Sequence, residues 1–287
     1  MRRILTAFAV MILTAGMAAA ETRVLTSFYP MYVFAKELTA GAEGVTVFNM
    51  AEQSTGCLHD YQLGQRDAAA VSEADVMIIN GGGMEQFVDR IREMRPDMPV
   101  IAASDGIALQ DSCEAGMKNA HVWLSPELAA CEIRTIAEGL ASADPAHAAL
   151  YRDNADRMTA ELNAADGELS AMLAPAAGHR VITFHEAFNY FLEAYGITVA
   201  DVIAHEPGEA PSTREIAETC DRIRAEGVDV LFTEPQYPTQ AADIISRETG
   251  TPVRQMDTGV SGDGSWDGYL GMLRGNAAVL LEALTHE

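Results

Sequence analysis

Short apolar runs alternate along this chain with longer stretches in which apolar positions recur every three or four residues. The short runs fall at residues 23–27, 45–49, 76–80 and 100–102, and again at 180–184, 199–203, 228–233 and 252–256. They are nearly continuous in their apolar character, as expected of strands buried on both faces of a parallel sheet. The segments between them, such as 31–39, 84–93 and 213–226, have the spacing of amphipathic helices. The alternation predicts an α/β fold of two (β/α)4 lobes, each with its own parallel sheet.

A stretch of another kind separates the two sets of strands. Residues 146–173 contain no proline and a single glycine, Gly167, while Met158, Leu162, Ala165, Leu169 and Met172 mark one helical face. Asp144-Pro145 is a start signal, and Pro175 with Gly178 a stop. A helix of about 28 residues would be ~42 Å long, enough to join two lobes as a rigid backbone. The expected organisation is a first lobe at 21–145, a linking helix at 146–175 and a second lobe at 176–287.

The first twenty residues stand apart. Met1-Arg2-Arg3, an apolar run from 4 to 14 and Ala18-Ala19-Ala20 before Glu21 describe a cleaved secretory signal peptide at 1–20. The run is too short for a transmembrane helix, which needs ~20 apolar residues. No cysteine follows the small residues, so no lipid anchor is expected, and the periplasm is the expected location. With 42 acidic against 19 basic residues the net charge is −23. That surface argues against nucleic acid or an anionic membrane as a partner. The four cysteines, Cys57, Cys113, Cys131 and Cys220, include no CxxC, so neither a zinc ribbon nor a thioredoxin-type site is indicated. In an exported chain their even number makes disulfides plausible.

Three of the seven histidines fall at ends of these elements. His59 lies in the loop after the second strand, His121 in KNAHVWLSPE before a helix that Ser125-Pro126 starts, and His185 directly after the first strand of the second half. Open α/β sheets bind ligands at the carboxyl ends of their strands, so these imidazoles could meet between the lobes. His147, His179 and His286 lack such placement; His205 also follows a strand end, in HEPGEAPS. Asp257 follows the last strand, and Glu234 in LFTEPQY is its rival as a fourth ligand; spacing alone does not separate the two. Three imidazoles and a carboxylate suit zinc, and they also accept manganese or iron, since raw affinity does not decide selectivity in vivo.

In this order, FYPMYVFAKEL, HDYQL, HVWLSP, FHEAFNYFLEAYGI, FTEPQY and MDTGV resemble the zinc/manganese (cluster A-I) periplasmic solute-binding proteins of metal ABC transporters, across nearly the whole mature chain. The resemblance implies metal held between two (β/α)4 lobes joined by a long rigid helix. Carried over position by position, it implies His59, His121, His185 and Asp257 as ligands, with Glu234 behind them. Where manganese-type members tend to have a glutamate, this chain has His185, which points to zinc. The implied cargo is Zn²⁺, with Mn²⁺ or iron as the alternative, passed by a monomer to a membrane permease.

Two departures from the family pattern stand out. The stretch 110–120 is short and holds no histidine, where zinc-type members often carry a His-rich loop. Cys57 sits two residues before His59, and a Cys57–Cys113 bridge would tie together two ligand-bearing loops, with Cys131 and Cys220 left as thiols. A zinc hydrolase would need Glu186 or Glu234 as general base; with no HExxH or comparable motif, an enzyme is not expected. A rigid helix in place of a flexible hinge implies modest adjustment on binding.

Overall fold

The computed structural model describes residues 21–53, 58, 61–203, 210–236 and 238–285. The expected signal peptide 1–20, Cys57, His59, Asp60, His205 and His286 lie outside the described residues.

The first half contains β1 (Thr22–Thr26), α1 (Tyr29–Leu38), β2 (Val45–Asn49), α2 (Gln65–Glu73), β3 (Val76–Ile79), α3 (Val88–Met94), β4 (Val100–Ala102) and α4 (Pro126–Ala143). After α5 (Ala148–Leu173) the pattern repeats with β5 (Arg180–Thr183), α6 (Asn189–Ala194), β6 (Thr198–Val202), α7 (Thr213–Glu226), β7 (Val230–Thr233), α8 (Gln240–Thr249), β8 (Val253–Gln255) and α9 (Trp266–Thr285). All strands pair in parallel, in the orders β2-β1-β3-β4 and β6-β5-β7-β8. The fold is therefore the expected α/β arrangement of two parallel four-stranded sheets. In each sheet the strand order reverses beside the first strand, at β1/β3 and at β5/β7, and such switch points open a crevice at the carboxyl edge.

The central helix α5 has 26 residues, roughly 39 Å at ~1.5 Å per residue. Pro145 opens a 3₁₀ turn that leads into it, and a second 3₁₀ turn at Ala174–Ala176 ends it. Met158, Leu162, Ala165 and Leu169 are fully buried, whereas Met172 is exposed. One continuous core runs from the first sheet through α4 and α5 to α9, whose Tyr269, Leu273, Ala277 and Leu280 pack into it. A smaller core of Ile182, Phe184, Ile223, Leu231 and Ile245 lies under α7 and α8. Lys36 Nζ donates to the Gly264 carbonyl and Arg157 pairs with Glu37, so α1, α5 and the start of α9 are also tied by polar contacts. Among the described residues no helix is long and apolar enough to cross a membrane.

The expected Cys57–Cys113 bridge rests on Cys57, which lies outside the described residues. Cys113, Cys131 and Cys220 are free thiols. Desolvation and the neighbouring Glu186 carboxylate push the Cys113 thiol up to about 12, away from the thiolate that disulfide exchange requires. Cys131 and Cys220 sit within α4 and α7, as thiols in helices.

Candidate metal centre

His185 is the second residue beyond β5, and Glu234 follows β7 directly, so the two flank the switch point of the second sheet. Both are buried, with His185 Nδ1 3.4 Å from Glu234 Oε1. Burial works to lower the His185 pKa, but the Glu234 carboxylate, aided by Glu186, outweighs it and leaves the pKa raised.

His121 arrives from the other half, on the loop between β4 and α4. A 3₁₀ turn at Val122–Leu124 and the Ser125 cap of α4, whose hydroxyl accepts from Leu128 N, fix that loop. Asn119 fixes the ring: its Oδ1 lies 2.8 Å from His121 Nδ1 and also accepts from the His121 amide at 3.0 Å. A short side chain that bonds its own backbone two residues on is a local turn device. The His121 and His185 rings meet edge to face with centroids 4.6 Å apart. A tetrahedral zinc with Zn–N near ~2.0–2.1 Å would hold two ring centroids roughly 5 Å apart. Asn119 Oδ1 at Nδ1 of His121 and Glu234 Oε1 near Nδ1 of His185 stand where outer acceptors of metal-bound imidazoles stand.

Trp123 joins this pair to the last strand. Its fully buried ring lies 5.1 Å from that of His121, Phe28 packs edge-on at 5.0 Å, and its Nε1 donates to the Thr258 carbonyl at 2.8 Å. The Tyr269 hydroxyl donates to the Trp123 carbonyl. Beyond β8, buried Asn276 brackets the main chain of Asp257, accepting from its N–H and donating to its carbonyl, each at 2.8 Å. Asp257 Oδ1 accepts from Gly259 N in the following turn, where Gly259 has φ +68°. Asp257 lines a cavity of about 380 Å³ together with Tyr29, Asp263, Tyr269 and Met272.

Of the expected ligands, then, the structure brings His121 and His185 together, holds Asp257 in the turn whose Thr258 carbonyl accepts from Trp123, and leaves His59 outside the described residues. Among the described residues no three or more His, Cys, Asp or Glu side chains form a complete metal cluster. Glu234 stands at Nδ1 of His185, the position of an outer acceptor. Glu186 does not back a ligand ring; its carboxylate is turned to Ser112 and Cys113. His147 and His179 are turned to Asp144 and Asp229. Sequence reasoning missed Asn119, Trp123 and Asn276. Only Asn119 carried a signal, an Asn two residues before a site histidine. Replacing Asn119 with alanine, or Glu234 with glutamine, is expected to weaken divalent-metal affinity by about 10–100-fold, read by isothermal titration.

Two parallel α/β halves bridged by one long helix, with imidazoles from both halves facing each other between them, define a solute-binding protein of the rigid-helix class. The family described as "ZnuA: Zinc-uptake complex component A periplasmic" matches residues 24–283, and the chain belongs to it. It is 28% identical over 256 residues to the iron-binding protein YfeA of Yersinia pestis, covering 85% of this chain and 81% of that protein. With the high-affinity zinc uptake system protein ZnuA of Bacillus subtilis it shares 25% identity over 283 residues, 92% of this chain and 88% of the relative. The structure of the solute-binding protein FpvC from Pseudomonas aeruginosa in complex with Mn²⁺ superposes with a TM-score of 0.83 at 27% identity, covering 92% of this chain and 98% of that one.

Proposed function

We propose that the protein is an exported, periplasmic zinc-binding protein that captures Zn²⁺ between its lobes (21–145 and 176–287, joined by 146–175) and delivers it, as a monomer, to the permease of an ABC transporter. The ligand set is His59, His121, His185 and Asp257. The observation that carries this reading is the facing pair His121–His185, with Asn119 Oδ1 2.8 Å from Nδ1 of His121 and Glu234 Oε1 3.4 Å from Nδ1 of His185. Asp257 is favoured over Glu234 because Glu234 already stands behind His185. Zinc is favoured over manganese because imidazole suits it, while manganese prefers a carboxylate-richer set. Manganese or iron remains the second reading, supported by relatives named for iron and Mn²⁺. Neither carboxylate that a hydrolytic reading would cast as general base is placed for it: Glu186 is held by Ser112 and Cys113, and Glu234 lies against His185.

Competitive titration with zinc and manganese tests the assignment. One equivalent of zinc is expected to displace manganese; preferential manganese retention would transfer the assignment to that metal. The affinity should also depend on pH. A raised pKa means that His185 holds its proton above the usual imidazole range, and zinc must displace that proton. Zinc affinity is therefore expected to begin its decline at a higher pH than the ~6.5 of a free imidazole would set. An affinity that is flat down to that free-imidazole value would contradict the role given to His185.

A further inference from the structure

The segment between β4 and α4 that carries His121 is a folded hairpin. Asp111 and Lys118 form an antiparallel bridge and an ion pair, Ser112 N donates to the Met117 carbonyl, Asn119 N donates to the Gln110 carbonyl, and Gly116 turns the tip with φ +86°. Among the described residues, its outward side-chain bonds go to the other half of the molecule, at residues that follow His185. Ser112 Oγ donates to Glu186 Oε1 and Cys113 N to Glu186 Oε2, both at 2.7 Å. Asn119 Nδ2 donates to the Glu186 carbonyl at 2.9 Å. The Tyr190 hydroxyl donates to the Asn119 carbonyl at 2.7 Å and accepts from Gln110 N at 2.9 Å.

Two features make this more than a surface contact. Glu186 is buried, and both its carboxylate oxygens are satisfied by the hairpin. Hydrogen bonds to a charged group are shorter and stronger than those between neutral groups. Asn119 spans the two ligand loops, with Oδ1 on the His121 ring and Nδ2 on the peptide of Glu186, next to His185. Any movement that separates His121 from His185 must therefore unseat the hairpin from Glu186 and Tyr190.

We propose that the 110–119 hairpin is an interlobe strap, caught by the Glu186 carboxylate, that holds the two imidazoles in register and sets the rate at which the cargo ion leaves. Glu186 is here a positioning residue that acts through the strap. The inference rests on metal capture at His121 and His185, and it assigns to the short loop a task different from gathering ions with histidines. Release would require the strap to lift, which docking on a permease could bring about.

The test is the dissociation rate of zinc from the whole protein, measured by chelator chase, for the parent, Glu186→Gln, Ser112→Ala and Tyr190→Phe. The strap predicts dissociation about tenfold or more faster, a barrier lower by about 1.4 kcal/mol, with the association rate within about twofold of the parent. Folded variants that release zinc at the parental rate would overturn it, as would losses confined to association. If Glu186→Gln fails to fold, the two milder variants decide. A parent that binds no zinc would sink the capture reading alone; amide exchange in metal-free protein then tests the strap, with Cys113 and Asn119 protected in the parent and faster in Tyr190→Phe. Unprotected amides in the parent would overturn it.

Discussion

Replacing His185 with alanine is expected to lower zinc affinity by more than about 100-fold, beyond the upper end of what loss of an outer-shell partner costs. The ring is the second half's contribution to the facing pair, it is buried, and Glu234 stands at its Nδ1. Removing it takes away one imidazole and also leaves Glu234 facing a void. A buried carboxylate without its partner is costly, so the variant should lose some thermal stability as well. Calorimetric titration with zinc, run beside a thermal melt, separates the two effects. Replacement by glutamate should instead restore divalent binding with a shift towards manganese, because a carboxylate is the harder donor. Parental zinc affinity in His185→Ala would remove the residue from the site.

The second large effect concerns stability. Glu132 lies within α4 with no exposed surface, and neither of its oxygens has a hydrogen-bond partner among the described residues. Burial pushes its carboxyl well above the usual carboxylate range, and Glu85 adds to the shift. Glu85, also buried, is raised by burial in spite of hydrogen bonds from Ser27 Oγ and the Gly81 and Asn80 amides. The folded protein thus keeps a proton that the unfolded chain has already released. The stability this contributes is full below the unfolded carboxylate pKa of ~4.3 and is lost as pH rises towards the folded value. Glu132→Gln removes the titration. It is expected to be more stable than the parent at pH 8, by roughly 1–3 kcal/mol, with the difference shrinking as pH falls towards 4. At about 2–4 °C per kcal/mol for a chain of this size, thermal melts across that range resolve it. A constant offset at every pH would show that Glu132 is not held protonated.

The strands and the central helix were legible in the sequence because burial on both faces leaves a continuous apolar signature; β2 and β4 fall at 45–49 and 100–102 as read. The discrepancies have local causes. The expected strand 228–233 starts late because Gly227, at φ +65°, ends α7 and Val228 N still donates to the Ile223 carbonyl. The expected helix 84–93 also starts late: Glu85 is occupied in capping the Asn80 and Gly81 amides, and α3 begins at Val88. No apolar stripe singled out α9, where Gly268, Gly271 and Gly275 lower helix propensity and tertiary packing against α1 and α5 supplies the stability.

Strand-end position was enough to suggest that His121 and His185 would meet, although they are distant in sequence. The surroundings of the site were not legible, because they rest on single hydrogen bonds between remote residues. Ser112 with Glu186 and Trp123 with Thr258 have no periodicity to give them away. Parity and proximity in sequence likewise do not reveal that Cys113 lies against Glu186.

One zinc ion is expected to sit between the rings of His121 and His185. Anomalous diffraction at the zinc edge, from crystals of the zinc-loaded protein, tests it most directly. A single strong peak is expected about 2.0–2.1 Å from Nε2 of both His121 and His185, with a carboxylate oxygen of Asp257 in the same sphere. A peak bound to only one of the two rings, or located elsewhere on the molecule, would contradict it.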